Sequence, residues 1–276
     1  MYILITKRSI KNKMKIKYLV IALILILGIL IFTPGIEEKE NIQIVGSSSI
    51  QGISEELSEK YMKKTNNIDI SVQSGGSSMG LNSILKDNAD IGMYSTEINN
   101  KNVNATTIAM DAIVIITHPS NNITNLPKEK LKDIFTGKTN NWKQINGNNE
   151  KIVVVSREEG SGTRNTIKEK LLNNQSITSN ALIQSSTGSL IQTVSTNPNA
   201  IGYASLTEIR NNNVKTITID NKEANTENIK NGQYLLQRPF LYLTKNPDKN
   251  TRQYIDWILS PEGQEIIEKE GLIPVN

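Results

Sequence analysis

The chain has 276 residues, with 31 Lys+Arg against 27 Asp+Glu, no cysteine and a single histidine. The missing cysteines exclude disulfides, thiolate metal sites and cysteine nucleophiles, and His118 alone leaves no room for a His-based metal site or a Ser-His-Asp triad. The formal charge of +4 is unevenly placed: residues 1–33 hold Lys7, Arg8, Lys11, Lys13, Lys15 and Lys17 and no acid, leaving 25 cations against 27 acids (net −2) in the remainder, which argues against a cationic groove for nucleic acid.

Tyr18 to Phe32 is an unbroken apolar run of 15 residues behind those six cations. Its length lies between a signal-peptide core and a full membrane span, and the preceding Lys/Arg cluster orients the N-terminus to the cytoplasm. Residues 1–33 are therefore expected to be a transmembrane signal anchor, or else a cleaved signal peptide. Phe32-Thr33-Pro34-Gly35 makes a poor cleavage site, which favours the anchor. Residues 34–40, with Glu37-Glu38-Lys39-Glu40, form a polar linker, and everything beyond is expected outside the cytoplasm.

From there, short β-branched runs alternate with helical patterns, which predicts an α/β architecture. Strands are expected at 42–45, 68–72, 91–93, 112–117, 152–155, 201–204, 214–219 and 240–244. The first helix, from Ser49 to about Lys64, puts Ile50, Ile53, Leu57 and Tyr61 on one stripe. Further helices are expected at 78–86 and 163–173. Ser260-Pro261-Glu262 has the N-cap, N1 proline and first-turn acid that open a last one. Asn104, Asn122 and Asn174 head Asn-X-Ser/Thr sequons, a pattern expected by chance in so Asn-rich a chain.

Three times a short strand runs into a Gly/Ser cluster that opens a helix. These are Gly46-Ser47-Ser48-Ser49, Ser74-Gly75-Gly76-Ser77-Ser78 and Arg157-Glu158-Glu159-Gly160-Ser161-Gly162-Thr163. One such cluster is an ordinary helix cap. Three in series, each presenting unpaired backbone N–H groups at the positive end of a helix dipole, suit a small tetrahedral oxyanion, with Arg157 as a planar cationic fork. Catalysis finds less support. There is no G-x-S-x-G, Gly137-Lys138-Thr139 lacks the upstream glycine of a phosphate-binding P-loop, and Ser83-Ile84-Leu85-Lys86 lacks the companions of an S-x-x-K enzyme. No cofactor and no metal cluster are expected.

These motifs resemble the substrate-binding proteins of phosphate ABC transporters over nearly all of residues 41–276. The resemblance is carried by Gly46–Ile50, Gln73–Gly80, Ala89-Asp90-Ile91-Gly92-Met93, Ala200–Tyr203, Arg238-Pro239 and Ser260–Gln264, and above all by Arg157–Arg164, which reads R-E-E-G-S-G-T-R. It implies a two-lobed periplasmic-binding-protein type II fold. Residues 41–115 with 236–276 would form one lobe and 116–235 the other, joined by crossover strands near Asp111–Thr117 and Arg238–Thr244. It further implies capture of inorganic phosphate and delivery to permease subunits, not an enzymatic activity. The phosphate ligands would be Ser48, Ser49, the Ile50 backbone N–H, Ser77, Ser95, Arg157, Ser161, Gly162 and Thr163. Where many members carry S-S-R after A-D-I-G-M, this chain has Tyr94-Ser95-Thr96-Glu97, which leaves Arg157 as the only expected motif cation in the cleft.

Phosphate carries a proton at neutral pH and sulfate does not, so a carboxylate acceptor in the site would favour phosphate. Glu159 is the first candidate, ahead of Glu158 and Glu97. Sulfate, molybdate or tungstate binding is the neighbouring alternative. An exported serine hydrolase using Ser49 or Ser161, or a surface protein with a degenerate cleft, are the alternatives of a different class.

Overall fold

The computed structural model describes residues 40–275, except Asn66 and Asn211. The expected signal anchor lies outside the described residues. Among the described residues no helix is long and apolar enough to cross a membrane.

Among the described residues ten strands form one sheet: β1 (Glu40–Gly46), β2 (Ile68–Ser74), β3 (Ile91–Tyr94), β4 (Asn104–Thr117), β5 (Asn125–Leu126), β6 (Val153–Arg157), β7 (Leu182–Gln184), β8 (Ala200–Ser205), β9 (Lys215–Ile219) and β10 (Gln237–Thr244). Their order is β2-β1-β3-β10-β4-β8-β6-β7, with β9 pairing both β4 and β5. β1 runs parallel to β2 and β3, whereas β10 is antiparallel to both β3 and β4. On the other side β6 is parallel to β8 and β7. The two long strands β4 and β10 thus lie side by side in mid-sheet. The first part of β4 pairs with β10, and Ile113–Thr117 pairs with β8.

β4 is longer than expected and begins at Asn104, eight residues before the apolar run that betrays its second half. Its first residues, Asn-Ala-Thr-Thr, are β-branched in part but polar. The ladder to β10 fixes them where hydrophobicity alone does not.

Eight α-helices among the described residues accompany the strands, the last two following β10: α1 (Gln51–Thr65), α2 (Ser77–Leu85), α3 (Lys128–Phe135), α4 (Gly162–Thr166), α5 (Thr187–Thr196), α6 (Thr226–Lys230), α7 (Lys249–Leu259) and α8 (Pro261–Lys269). The expected stripe of α1 is fully realised: Ile50, Ile53, Leu57 and Tyr61 are all buried, and the Tyr61 ring meets Tyr254 and Trp257 at centroid distances of 5.0 and 5.2 Å. The third expected helix changes pitch after five residues, continuing from α4 as a π-helical turn over Ile167–Leu171. Ser260 caps α8 ahead of Pro261, as expected. Buried Gln264 then ties that helix to β4 by donating to the Ile108 carbonyl at 3.1 Å.

The apolar core falls into two main clusters. One gathers Ile42, Ile44, Leu57, Ile91, Phe240 and Tyr254, and the other Ile113, Ile115, Phe135, Val155, Leu190 and Tyr203. Neighbouring β4 residues divide between them, Ala109 belonging to the first and Ala112 to the second. The ends of β1, β2, β3 and β6 deliver the Gly/Ser clusters, so each loop that could meet a ligand hangs from a strand anchored in one of these cores.

Candidate functional site

β1 ends on Gly46 at φ +145°, a conformation that disfavours a side chain, and a Cβ there would strike the Met93 backbone. The Gly46 carbonyl accepts from the Gly75 and Gly76 N–H groups at 2.8 and 2.9 Å, and the Ser47 N–H donates to the Met93 carbonyl at 3.0 Å. Three strand ends are thereby stitched together, which brings Ser47, Ser49, Ser77 and Ser95 to one place.

Ser47, Ser49, Ser77 and Ser95 form one hydroxyl network with Thr163 from the other half of the sheet, and Ser48 makes a separate bridge to Thr187. Ser47 Oγ donates to Ser95 Oγ at 2.8 Å, and Ser95 Oγ lies 3.2 Å from Ser77 Oγ. Ser49 Oγ is 3.0 Å from Thr163 Oγ1 at the head of α4, and Ser48 Oγ is 3.2 Å from Thr187 Oγ1 at the head of α5. Every one of these side chains is buried. Gly162 is required by the crowding: a Cβ there would stand 2.5 Å from Ser77 Oγ and 2.6 Å from Ser95 Oγ. The Ser161 hydroxyl caps α4 by accepting from the Arg164 N–H at 3.3 Å. The Ile50 N–H is spent on the Ser47 carbonyl at 3.1 Å, closing the turn into α1.

Arg157 is 2 % exposed. Its Nε and Nη2 donate to the two Glu158 oxygens, each at 2.8 Å, and its Nη1 donates to Thr187 Oγ1 at 3.0 Å. Its backbone N–H donates to the Tyr203 hydroxyl at 3.1 Å. Burial pushes the Tyr203 phenol pKa up, keeping it a neutral hydroxyl that can serve as acceptor.

Two expectations need correction. Glu159 does not reach the hydroxyl network: its side chain is three-quarters exposed and pairs with Arg164. The alternation of the loop puts Glu158 beside Arg157 instead, with both carboxylate oxygens engaged, and Glu97 is exposed. Nor is Arg157 the sole cation. Arg238, 1 % exposed on β10, donates from Nη1 to Thr163 Oγ1 at 2.7 Å and to the Ser95 carbonyl at 3.1 Å. Its Nε donates to Asp111 Oδ2 at 2.9 Å, and the Ser205 hydroxyl donates to Oδ1 at 2.7 Å. Burial pulls the Arg238 pKa down and the Asp111 pKa up, and their mutual attraction opposes both shifts.

Thr187-Gly188 belonged to the resemblance, but Thr187 was not among the expected ligands; Ser186-Thr187-Gly188 is a fourth Ser/Gly cluster in front of a helix, with Ser186 and Ser189 forming a capping box. Arg238 and Asp111 had a fainter signal, a lone charge inside each of two apolar strands.

The arrangement gathers many short-reach donors beside two buried guanidinium groups, a chemistry suited to a compact anion. It is poorly set up for nucleophilic attack. Ser49 Oγ meets only hydroxyls in its hydrogen bonds, Ser161 Oγ caps a helix, and the His118 ring is bonded to Ser120 in a separate loop.

Comparison with known proteins agrees with this geometry. The family model of the PBP superfamily domain matches residues 33–262. The phosphate-binding protein PstS of Borreliella burgdorferi is 28% identical over 255 residues, spanning 87% of this chain and 91% of the relative. A substrate-binding protein of Clostridium perfringens, attributed to a phosphate ABC transporter and solved with bound phosphate, is 36% identical with a TM-score of 0.83; the match covers 86% of this chain and all of that one, 100%. An ABC-type phosphate transport receptor of Vibrio cholerae is 32% identical with a TM-score of 0.71, covering 84% and 99% of the two chains. With its parallel strand ends, its buried hydroxyl cluster and these relatives, the chain belongs to the PBP superfamily, where it is similar to the PstS phosphate-binding proteins.

Proposed function

We propose that this protein binds inorganic phosphate outside the cytoplasm and hands it to the permease subunits of an ABC transporter, held at the membrane by its N-terminal segment. The observation that carries the reading is the buried ring of Ser48, Ser49, Ser77, Ser95 and Thr163 beside Arg157, built where strand ends meet helix N-termini. The relatives named for phosphate binding and phosphate transport support it.

In this reading the ligands are Ser48, Ser49, the Ile50 N–H, Ser77, Ser95, Arg157, Ser161, Gly162 and Thr163. On anion binding, hydroxyls now bonded to one another turn their protons to the ligand, and the Ile50 N–H exchanges the Ser47 carbonyl for it. Residues 41–115 with 236–276 act as one lobe and 116–235 as the other; the two apolar clusters follow this division except that Ala112–Ile115, Leu236 and Ile273 pack with the second. β4 and β10 are the crossovers, and hinge bending about them opens and closes the cleft.

With Glu159 at the surface, the first candidate acceptor for the proton of phosphate is away from the hydroxyl network, which favours a second reading: a site that also accepts sulfate, molybdate or tungstate. Calorimetry of the detergent-solubilised full chain against phosphate and sulfate tests both. Saturable phosphate binding with sulfate at least about 100-fold weaker supports the first reading. Equal affinities favour the second, and no binding of either anion sinks both.

A further inference from the structure

Arg238 spends its guanidinium in a divided way. Nε faces Asp111 Oδ2 in good hydrogen-bond geometry, and Nη2 lies 2.9 Å from the same oxygen but off the hydrogen-bond line. The central guanidinium carbon lies over the Phe240 ring, 5.1 Å from its centroid. The other end, Nη1, has two hydrogens, and they go to different halves of the sheet. One reaches the Ser95 carbonyl after β3, the other Thr163 Oγ1 at the head of α4.

The consequence lies in Thr163. A threonine hydroxyl has one proton to give, and arginine has no lone pair to receive it. With Arg238 donating to Oγ1 at 2.7 Å, the Thr163 proton must turn elsewhere, and its other hydrogen-bonded neighbour is Ser49 Oγ at 3.0 Å, inside the ring. Arg238 occupies one acceptor site of Thr163 Oγ1 and keeps the hydroxyl proton off that side, leaving it available to Ser49 Oγ or to an anion in the ring.

We infer that Arg238 is a positioning residue of the oxyanion site, biasing the Thr163 hydroxyl to donate into the ring while bridging Ser95 and Thr163 across it. This rests on the phosphate reading above and adds to it. Asp111 and Ser205 support Arg238 from behind: Asp111 holds it through one carboxylate oxygen and accepts from Ser205 through the other. Were Arg238 only the partner of a buried ion pair, nothing would require its Nη1 end to be shared between two ring residues.

The test is a mutant cycle read by phosphate calorimetry on the full chain in detergent, with circular-dichroism melting to establish folding. Arg238→Gln alone would strand the buried Asp111 carboxylate, so the cycle is run in an Asp111→Asn background. There, Arg238→Gln is expected to weaken phosphate binding about 30-fold with Thr163 present. It should cost less than about 3-fold once Thr163→Val has already removed the relayed proton. Thr163→Ser keeps the hydroxyl and should restore the full effect of Arg238→Gln. If the background variants fail to fold, Arg238→Lys in the native chain replaces them, with about a 10-fold loss that Thr163→Val absorbs. Equal losses from Arg238→Gln with Thr163 in place and after Thr163→Val would overturn the inference, and so would an Arg238→Gln affinity within about 2-fold of its background. A native chain that binds no phosphate removes the functional reading, and this inference falls with it; binding by the native chain with an additive cycle removes this inference alone.

Discussion

The Ser78 backbone N–H donates to the Gly160 carbonyl at 3.0 Å, joining the head of α2 to the loop that leads into α4. The two residues come from different Gly/Ser clusters, one after β2 and one after β6. Beside this bond Gly76, at φ +89°, lies against Glu158: a Cβ there would stand 3.1 Å from Glu158 Oε1. Two of the site's loops are therefore tied to each other by a main-chain contact, with Glu158, the carboxylate partner of Arg157, against one of them.

Gly160 itself sits at φ +89°, and a Cβ on it would come within 2.9 Å of Ser78 Oγ. Gly160→Ala should lower stability by about 1–3 kcal/mol and weaken phosphate binding, through strain at that φ and through the clash. Denaturant unfolding and calorimetry measure the two effects. Gly188→Ala is the control, since a Cβ there meets nothing within 4 Å; it should be neutral or slightly stabilising as a gain in helix propensity within α5.

Gly162→Ala should be the harsher glycine substitution for function. Its Cβ would enter the space between Ser77 Oγ and Ser95 Oγ, so phosphate affinity should drop by more than about 100-fold. A variant that melts near the native temperature yet still binds phosphate within about 5-fold would remove Gly162 from the site.

Tyr203→Phe keeps the ring, which packs 5.7 Å from Phe135, but deletes the acceptor of the Arg157 N–H and the partner of the Ser156 hydroxyl at 2.7 Å. Leaving those buried groups unpaired should cost about 1–3 kcal/mol of stability and loosen the grip on the anion. Urea titration and phosphate calorimetry on the same preparation check both parts.

Glu208 follows β8 and lies against α1, its Oε1 3.3 Å from where a Cβ on Gly52 would stand. Burial first, then the negative charges of Asp111 and Glu55, push its pKa up to about 7, with Arg238 opposing. Its folded pKa exceeds the unfolded one, so the folded chain retains a proton that the unfolded chain has released between the ordinary glutamate range and about pH 7. Stability should therefore fall as pH rises through that window. Glu208→Gln should flatten this slope, measured by urea unfolding at a series of pH values. An unchanged slope would show that Glu208 titrates alike in both states.

Much of the framework was legible because it depends on local pattern. The α1 stripe, the Ser260-Pro261 helix start and the Gly/Ser clusters each follow from neighbours within a few residues, and the Arg157–Arg164 motif marked the site directly. The parts that were not legible depend on long-range pairing. Asp111 and Arg238 are 127 residues apart, and although Arg238-Pro239 belonged to the resemblance, nothing local in the chain pairs the two charges. Which of two adjacent glutamates turns towards Arg157 depends on the backbone direction of one loop, which composition does not encode. The polar start of β4 is held by its ladder to β10, and no apolar period announces it.

The ring is made of Ser and Thr hydroxyls, peptide groups and guanidinium, with no thiol or imidazole among them, and the whole chain has no cysteine. None of these groups is a ready target for oxidants, a strong ligand for transition metals, or a titrating group near neutral pH. A protein facing an uncontrolled exterior would thus keep its grip through swings in redox conditions and trace-metal content. Acidity would reach that grip only indirectly, through the protonation of the anion itself and of carboxyls such as Glu208 outside the ring.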